Sequence, residues 1–522
     1  MADVFGGHKL EIPFRPVAEL FASYAARDPG KRAIVDLDQQ SQVTFGELNR
    51  IVTGIAADLK RRGVAKGSRV VLLADEVLEK LLIWFGIWRL GAIVCPLNVE
   101  LNAEHIATLT RTIGPTLIFV HKDLDAAALT AGAQAPVIRF GSFSGAGARD
   151  EYFSALARGA DPSAIPERNE AADLSCMFCT SGTTSTPKLV VYDHCAYWLS
   201  GLSTLDMLGL TENDRTLEYR SFGWNSAQVL SLMPFLQTGL TLHIAKRFSH
   251  SRFFEWIQKY GLTFSAGVPT VVNMLLNKPL GYTAADIPTL RLMTCSTAPL
   301  SPEQWERFET TYGLTLLQLY GMSEAGWICG NRHYRKRMGT VGPPAVHQEF
   351  AIVDGEGETC PPGVEGEVTV GGPQTAIGYL APDGTIEPFR GRRNKTGDLA
   401  VMDADGFVRV TGRTKDLIIR GGMNIAPLEI DQVLLAHPEV ADAAAVGVPD
   451  PIYGEEVAAF VVPKSAGDGL DKKILAYCDG KLPLPKRPKT VFVVGELPKS
   501  DRGKVLRDKL REDWARRVKA PA

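Results

Sequence analysis

The sequence carries almost no net charge for a chain of 522 residues. Lysine and arginine number 57, aspartate and glutamate 59, and the formal charge at pH 7 is −2. Proteins that bind nucleic acid or an anionic membrane electrostatically carry a clear basic excess, so neither partner is predicted. A chain this long exceeds the size of one hydrophobic core, and we expect two or more domains.

A long hydrophobic run is also missing. The longest apolar stretch, 81–97, is interrupted by Arg89 and falls short of a membrane span. Residues 1–9 show neither the basic start nor the apolar segment of a secretory signal. We therefore expect no transmembrane segment and a cytoplasmic protein.

Cysteine is sparse and shows no paired framework. Eight cysteines stand at positions 95, 176, 179, 195, 295, 329, 360 and 478. In a chain without a secretory signal, this scatter favours reduced thiols. Cys176 and Cys179 form a C-x-x-C, but no second pair completes a four-ligand metal site, and on a strand the two would face opposite sides. We interpret both as core residues.

The first 120 residues alternate between helical and strand patterns. Thr44 and Glu47 form a capping box, after which apolar residues recur at helical spacing up to Gly63. Strands are predicted at 69–74, 93–97 and 117–120, a buried helix at 77–90, and a loop with one short helix at 141–170. Strand–helix–strand order predicts parallel-type sheets covered by helices, and hence an α/β fold.

The pattern changes near residue 349. Short strands at 350–353, 366–370 and 407–410 predict a small antiparallel unit. Farther on, helices are predicted at 426–436 and 471–478, with strands at 441–448, 457–462 and 490–494. We predict an N-terminal domain over 1–412, a connecting segment at 413–416 and a small α+β C-terminal domain over 417–522.

Residues 180–188, Thr-Ser-Gly-Thr-Thr-Ser-Thr-Pro-Lys, are the most informative stretch. Gly182 lets the backbone approach a phosphate, and Lys188 adds a positive charge. Hydroxyl groups that can donate to phosphate oxygens are those of Thr180, Ser181, Thr183 and Thr184. Flanking apolar segments predict a turn between strands, and no Walker P-loop is present. A Ser/Thr-rich surface turn has the same composition, so the loop alone does not decide.

Further motifs follow along the chain. Tyr320-Gly-Met-Ser-Glu324 offers an aromatic ring that can stack on a base and a carboxylate that can hold Mg²⁺. Thr396-Gly-Asp398 offers a carboxylate suited to paired ribose hydroxyls. Basic residues follow in Gly412-Arg-Thr-Lys-Asp416 and at Lys504. Each motif alone is more typical of an ordinary turn or a solvated linker.

In this order and spacing, the motifs resemble those of the adenylate-forming superfamily, and in particular acyl- and aryl-CoA synthetases. Luciferases and nonribosomal adenylation domains are more distant members. The resemblance extends over about residues 15–510. It implies an AMP-forming acid–thiol ligase: a carboxylic acid and ATP give an acyl adenylate and pyrophosphate, and coenzyme A then gives acyl-CoA and AMP. Mg²⁺ with ATP is the implied cofactor, coenzyme A the co-substrate, and the partners are small molecules.

The resemblance also implies roles for individual residues. Lys504 would reach the reacting carboxylate and the α-phosphate, and Glu324 would hold Mg²⁺. Residues 413–416, with Lys415, would be the hinge about which a mobile C-terminal domain rotates. Catalysis would rest on Lys504, Glu324, Thr180 and Lys188. ATP would be bound by Thr180, Ser181, Gly182, Thr183, Thr184, Lys188, Ala298, Pro299, Tyr320, Ser323, Asp398 and Arg413.

The chain departs from the family pattern in two places. Ser296-Thr-Ala-Pro299 stands where the family has Gly-Gly-Ala-Pro. Ser185 and Leu189 replace glycines of the phosphate loop, which suggests a stiffer loop exit. No charged or hydroxyl group that the chemistry needs is lost.

The acid is less well defined. The family's acyl pocket corresponds to residues Phe222, Trp224, Gly267 and Gly321, although both aromatics could equally be core residues. Gly421 and Gly422 would face the coenzyme A channel after domain rotation. We predict a small-to-medium organic acid, aromatic or short aliphatic.

Three alternatives stay open at this point. A related ligase could load an acyl-carrier protein instead of coenzyme A, and a luciferase-type oxygenase would share the same motifs. The alternative from another class is a non-catalytic nucleotide-binding protein. It would need a lost metal or lysine group, whereas Lys188, Glu324, Asp398, Arg413 and Lys504 are all present.

Overall fold

A computed structural model describes residues 4–5, 8–9, 13–142, 153, 156, 159–180, 188–298, 300–465, 467–499 and 504–519. A short hairpin, Val4–Phe5 with His8–Lys9, precedes the first helix. Two eight-stranded sheets, here called sheet A and sheet B, form the N-terminal region. Within these described residues, no helix is both long enough and apolar enough to cross a membrane.

Sheet A is parallel in its centre and antiparallel at one edge. Its strands in spatial order are Ile386–Pro388, Gly378–Leu380, Leu189–Asp193, Leu174–Cys179, Ile93–Leu97, Arg69–Leu73, Leu117–His121 and Val137–Phe140. The last five run parallel, and the first three pair antiparallel. The three strands predicted in the first 120 residues are confirmed to within one residue at each end.

Sheet B has the same mixed character. Its strands in spatial order are Gly326–Gly330, Thr315–Met322, Leu292–Cys295, Phe264–Ser265, Arg215–Glu218, Thr241–Ile244, Arg32–Asp36 and Ser41–Thr44. Only its two outer pairs are antiparallel. Parallel strands need crossover connections, and helices provide them on the faces of both sheets.

The helices of this region include one that is buried all round. They are Val17–Arg27, Phe45–Arg61, Leu78–Arg89, Ala103–Ile113, Ala126–Leu129, His194–Leu208, Asn225–Ala227, Met233–Thr238, Phe253–Tyr260, Pro269–Asn277 and Pro302–Tyr312. Leu78–Arg89 contacts strands of both sheets, and all its residues are buried. The predicted Thr44–Glu47 capping box is confirmed at the start of Phe45–Arg61. Most of the loop predicted at 141–170 lies outside the described residues, apart from a 3₁₀ turn at Pro162–Ala164.

Cys176 and Cys179 lie on one strand of sheet A and face opposite ways. Cys176 packs into the large core and Cys179 into the core on the other face of the sheet. All eight cysteines are free thiols, and every one except Cys360 is buried. The interpretation of the C-x-x-C as core packing is therefore confirmed.

Two smaller units complete the fold. The predicted antiparallel unit has the strands Glu349–Val353, Glu365–Gly371, Asn394–Met402 and Val408–Arg413. The C-terminal sheet has the strands Met423–Ile425, Ile418–Arg420, Gly454–Pro463, Val440–Asp450 and Thr490–Val493, with the helices Pro427–Leu435, Leu470–Asp479 and Arg507–Lys519 and a 3₁₀ turn at Leu484–Lys486. The sequence patterns did not predict Asn394–Met402, the hairpin over 418–425 or Arg507–Lys519. The whole is a large α/β region with mixed sheets and a small C-terminal domain.

Candidate active site

The phosphate-loop candidate is closed at its base by paired strands. Cys179 lies opposite Leu189 in an antiparallel pair. The Thr180 N–H donates to the Lys188 carbonyl at 2.8 Å, and the Lys188 N–H donates to the Thr180 hydroxyl at 3.3 Å. The strands predicted on either side of the loop are therefore present and paired with each other. The predictions for Ser181, Gly182, Thr183 and Thr184, like that for Pro299, lie outside the described residues.

Lys188 and Glu324 contact the same tyrosine, Tyr379. The Lys188 ammonium lies 4.6 Å from the centre of the Tyr379 ring, a cation–π contact. The Tyr379 hydroxyl donates to Glu324 Oε1 at 2.9 Å. Burial and the neighbouring Glu324 carboxylate raise the pKa of Tyr379, so the hydroxyl keeps its proton. Sequence reasoning missed Tyr379, because only the pairing of its strand opposite Val190 brings it here.

Asp398 joins two other candidates. The Tyr320 hydroxyl donates to Asp398 Oδ2 at 2.5 Å, and Arg413 Nε donates to Oδ1 at 2.5 Å. Asp398 and Arg413 lie directly opposite each other on adjacent antiparallel strands. Burial and Asp398 raise the pKa of Tyr320 well above its usual range. The backbone carbonyl of Ser323 accepts a hydrogen bond from the Tyr192 hydroxyl at 3.0 Å.

Lys504 comes from the C-terminal domain and lies near this cluster. Burial lowers the pKa of Lys504 to about 8. The positive charges of Arg413 and Lys415 contribute to this lowered pKa, and the carboxylates of Asp398 and Asp416 oppose the lowering. Groups from both domains therefore act on this ammonium electrostatically.

Arg507 fixes the segment that carries Lys504. Its guanidinium pairs with Asp431 at 2.5 Å and with Asp416 at 3.8 Å. Arg507 also donates to the Ala445 carbonyl at 2.5 Å. Asp416 belongs to the predicted hinge, so this arginine links the C-terminal helix to the start of its domain. No motif in the sequence pointed to Arg507.

The predicted hinge is a short 3₁₀ turn, Thr414–Asp416, between Arg413 and the first strand of the C-terminal sheet. Lys415 is exposed there. Gly421 and Gly422 form the two-residue turn of the hairpin that follows, with φ angles of 57° and 82°. Two positive φ angles are what a tight hairpin turn of this kind requires, which explains the paired glycines.

A cavity of about 540 Å³ lies where parallel strands of both sheets end. Open α/β sheets bind ligands at the carboxyl ends of their strands. Many residues of the cavity wall come directly after the carboxyl end of a parallel strand. Sheet A contributes Asp75, Glu76, Asn98, Val99 and Glu100, and sheet B contributes Tyr219, Arg220, Lys246, Val268 and Thr297. The candidate acyl pocket therefore lies where the carboxyl ends of strands from the two sheets meet.

The four predicted acyl-pocket residues lie in different surroundings. Trp224 lines the cavity, whereas Phe222 is fully buried in the large core and is not part of the wall. A Cβ atom at Gly267 would collide with the Thr294 carbonyl, and one at Gly321 with the Gly326 carbonyl. Close packing of neighbouring strands thus requires both glycines.

Thr297 adopts a φ of 77° on the cavity wall, next to Ala298. A β-branched residue is rarely found at positive φ, and such strain costs on the order of 1–3 kcal/mol. This is the position at which the related family has glycine. The preceding residue is held in place, because the Ser296 N–H donates to the Gly267 carbonyl at 3.3 Å.

A buried ion pair supports the loop beneath the cavity. The Lys80 ammonium, which is fully buried, donates to Glu76 Oε1 at 2.7 Å and to the Ala74 carbonyl at 3.0 Å. The same Glu76 oxygen accepts from the Ser221 hydroxyl at 2.7 Å. The hydroxyl of Ser221 in turn accepts from the Gly223 N–H at 3.1 Å. The central helix thereby holds the segment that carries Trp224.

Lys80→Met is expected to destabilise the N-terminal region by about 3–5 kcal/mol, because it leaves the Glu76 carboxylate buried without its cation. The double variant Glu76→Gln, Lys80→Met removes both charges and should recover most of the loss. Thermal unfolding of the wild type, both single variants and the double variant checks this. Additive losses in the double variant would contradict the coupling.

Comparison with known proteins agrees with this architecture. The model of AMP-binding enzymes matches residues 21–380, and that of the AMP-binding enzyme C-terminal domain matches residues 429–504. An oxalate–CoA ligase of Arabidopsis thaliana is 30% identical over 94% of this chain and 96% of its own length. A sulfoacetate–CoA ligase of Cupriavidus necator is 32% identical over 95% of this chain and 97% of its own.

A solved structure shows the same fold over nearly the whole chain. ATP-bound MatB from Rhodopseudomonas palustris superposes with a TM-score of 0.85 at 28% identity, covering 95% of this chain and 99% of that chain. The family match spans well over half of the sequence and includes both domains. The protein therefore belongs to the AMP-binding enzyme family, as an acyl- or aryl-CoA synthetase of the adenylate-forming superfamily.

Proposed function

We propose that the protein joins a small-to-medium organic acid to coenzyme A in two half-reactions. The observation that carries this proposal is the position of Lys504, a partly buried ammonium of the C-terminal domain near Asp398 and Arg413 of the N-terminal domain. A mobile cation next to a nucleotide-type site is what acid activation by ATP requires. The curated relatives are named for different acids, so they support the reaction class and leave the acid open.

In the first half-reaction, a carboxylate oxygen of the acid bonds to the α-phosphorus of ATP. The bond from that phosphorus to the bridging oxygen of the β-phosphate breaks, and pyrophosphate leaves. Two anions approach each other in this step, so positive groups must stand where charge builds up. We assign that role to Lys504 at the α-phosphate and to Lys188 at the departing phosphates. Tyr320 would stack on the adenine, and Asp398 with Arg413 would hold the ribose.

The residues present fit a magnesium ion that is bound mainly by phosphate oxygens of the substrate ATP and by one carboxylate of the protein. In the described part of the chain, no group of three or more metal-ligating side chains lies together. Mg²⁺ is usually bound through one or two carboxylates plus phosphate oxygens. Glu324 is the carboxylate available, and the hydroxyl of Tyr379 holds one of its oxygens at 2.9 Å. When bound, the ion would neutralise charge on the phosphates.

In the second half-reaction, the sulfur of coenzyme A bonds to the acyl carbon, the bond to the adenylate oxygen breaks, and AMP leaves with the thiol proton lost to solvent or base. In this proposal, Lys504, which lies near Asp398 and Arg413, would contact the acyl adenylate. It must withdraw before a thiol can enter, and rotation about the 3₁₀ turn at Thr414–Asp416 would achieve this. The Gly421–Gly422 turn would then face the thiol channel.

A panel of carboxylic acids tests this function. Pyrophosphate release is measured with ATP and Mg²⁺, in the presence and absence of coenzyme A, and with a pantetheinylated carrier protein in a third arm. We expect acyl-CoA and AMP in equal amounts with coenzyme A. Transfer to the carrier protein alone would overturn the assignment of coenzyme A as acceptor. Absence of pyrophosphate release with every acid would overturn the proposed function.

The partly buried position of Lys504 predicts that the rate of adenylation falls at alkaline pH. Its pKa of about 8 means that the ammonium is present below that pH and is lost above it. An exposed lysine would stay charged up to about pH 10. The kcat/KM of ATP–pyrophosphate exchange, which reports the free enzyme, should therefore fall as the pH rises through about 8. In Lys504→Arg, whose guanidinium stays charged, the residual activity should lack this fall, and an unchanged profile would contradict the assignment.

A further inference from the structure

The wall of the acyl-pocket candidate is strongly charged. Of its three cations, Arg220 is paired with the buried Glu218 at 2.7 Å, and Arg247 is paired with Glu100 at 3.0 Å. The third cation is Lys246. Among the described residues, no carboxylate lies within ion-pair distance of its ammonium, and only its backbone N–H is bonded, to Asp38 at 2.8 Å.

Lys246 also connects this cavity to a second one. An adjoining cavity of about 550 Å³ shares Asp75, Lys246, Arg247 and Phe248 with the first. Arg252 borders that second cavity and pairs with Asp38 at 2.9 Å. Lys246 and Arg247 therefore line both cavities, and Arg252 lines the second one alone. The Arg247–Glu100 pair is mostly exposed, so it is weak and can be exchanged for a ligand.

Buried polar atoms on the same wall lack hydrogen-bond partners. The amide nitrogen of Asn98 is one, although the residue is only 2% exposed and its Oδ1 accepts from the Glu100 N–H. An oxygen of Glu76 is another. Buried polar groups are normally satisfied, so an unpaired donor on a cavity wall points to a polar ligand.

We propose, on the basis of the function proposed above, that the acid carries a second anionic group, a carboxylate or sulfonate, which binds Lys246 on the wall of the candidate acyl cavity. The donors there are the Lys246 ammonium, the Asn98 amide and the exchangeable guanidinium of Arg247. An apolar tail would cover these groups without replacing their hydration, which penalises its binding. Asp75 on the same wall favours the opposite charge, so the test includes a cationic tail.

Three series of acids matched in skeleton test the proposal with the full-length enzyme. The first contains pentanoate, butanedioate and 4-aminobutanoate; the second contains heptanoate, hexanedioate and 6-aminohexanoate. The third contains 4-methylbenzoate, benzene-1,4-dicarboxylate and 4-(aminomethyl)benzoate. The kcat/KM for pyrophosphate release is measured for each acid with ATP and Mg²⁺. In the series of best fit, we expect the diacid to exceed its apolar partner by about tenfold or more.

Lys246→Met removes the ammonium and keeps most of the apolar stem. It should lower the ratio of diacid to apolar acid by about tenfold or more, and Lys246→Arg should restore part of that ratio. A ratio measured within one variant does not depend on how much of that variant is folded. Lys259→Met, at an exposed lysine on the helix Phe253–Tyr260, is the matched control and should leave the ratio unchanged.

The outcomes separate this proposal from the function on which it rests. Preference for the methyl or amino member in every series would overturn the anionic tail while leaving the ligase intact. So would a diacid preference that Lys246→Met does not change, because the tail would then bind elsewhere. Failure of all acids in the panel to release pyrophosphate would instead overturn the proposed function.

Discussion

Lys504→Ala is expected to slow adenylate formation by about 10³-fold. The ammonium is partly buried near Asp398 and Arg413, the groups to which we assign the ribose of the nucleotide. A charge-stabilising group that is preorganised in such a site typically contributes two to three orders of magnitude to the rate. ATP–pyrophosphate exchange, measured with the best acid from the panel, reports this step directly.

The second half-reaction provides the control for Lys504→Ala. When the acyl adenylate is supplied chemically, its reaction with coenzyme A should proceed at close to the wild-type rate, because in the proposed mechanism Lys504 withdraws before that stage. Lys509→Ala, at an exposed lysine of the same C-terminal segment, should leave both steps unchanged. Equal losses in both half-reactions would mean that Lys504 has no specific role in the first.

Lys415→Pro is expected to slow thioester formation by about 100-fold or more, with a much smaller effect on adenylation. Proline fixes φ near −65° and restricts the residue before it, here Thr414. That φ is compatible with the 3₁₀ turn at Thr414–Asp416. Adenylation in the observed arrangement should therefore be affected less than the second step, although the restriction on Thr414 disfavours part of the turn, and rotation about residue 415 should be hindered.

Single-turnover measurements of the two half-reactions test the hinge. Lys415→Ala removes the same side chain without restricting the backbone, so it should retain most of the second step. If Lys415→Pro leaves thioester formation unaltered, the rotation does not depend on this residue. If alanine is as damaging as proline, the side chain matters and the backbone does not.

Local patterns predicted much of the fold. The capping box at Thr44 and the alternation of strands and helices in the first 120 residues depend on neighbours in sequence, and they are confirmed. The strand Asn394–Met402 was missed. Its glycine and charged residues lack an apolar alternation, and pairing with two neighbouring strands stabilises it instead. It carries Asp398, which was nevertheless found from its Thr-Gly-Asp motif.

The amino-acid order alone determined the family, the reaction class and the main charged candidates, since short motifs keep their residue types and spacing within one loop or turn. Only the tertiary structure decided which groups meet. Strand pairing brings Tyr379 to Glu324. Arg507 pairs with Asp416, which lies far away in the sequence. Lys246 lines a cavity at the carboxyl ends of strands from both sheets. These contacts join residues far apart in the chain, and their geometry follows from how whole sheets and helices pack.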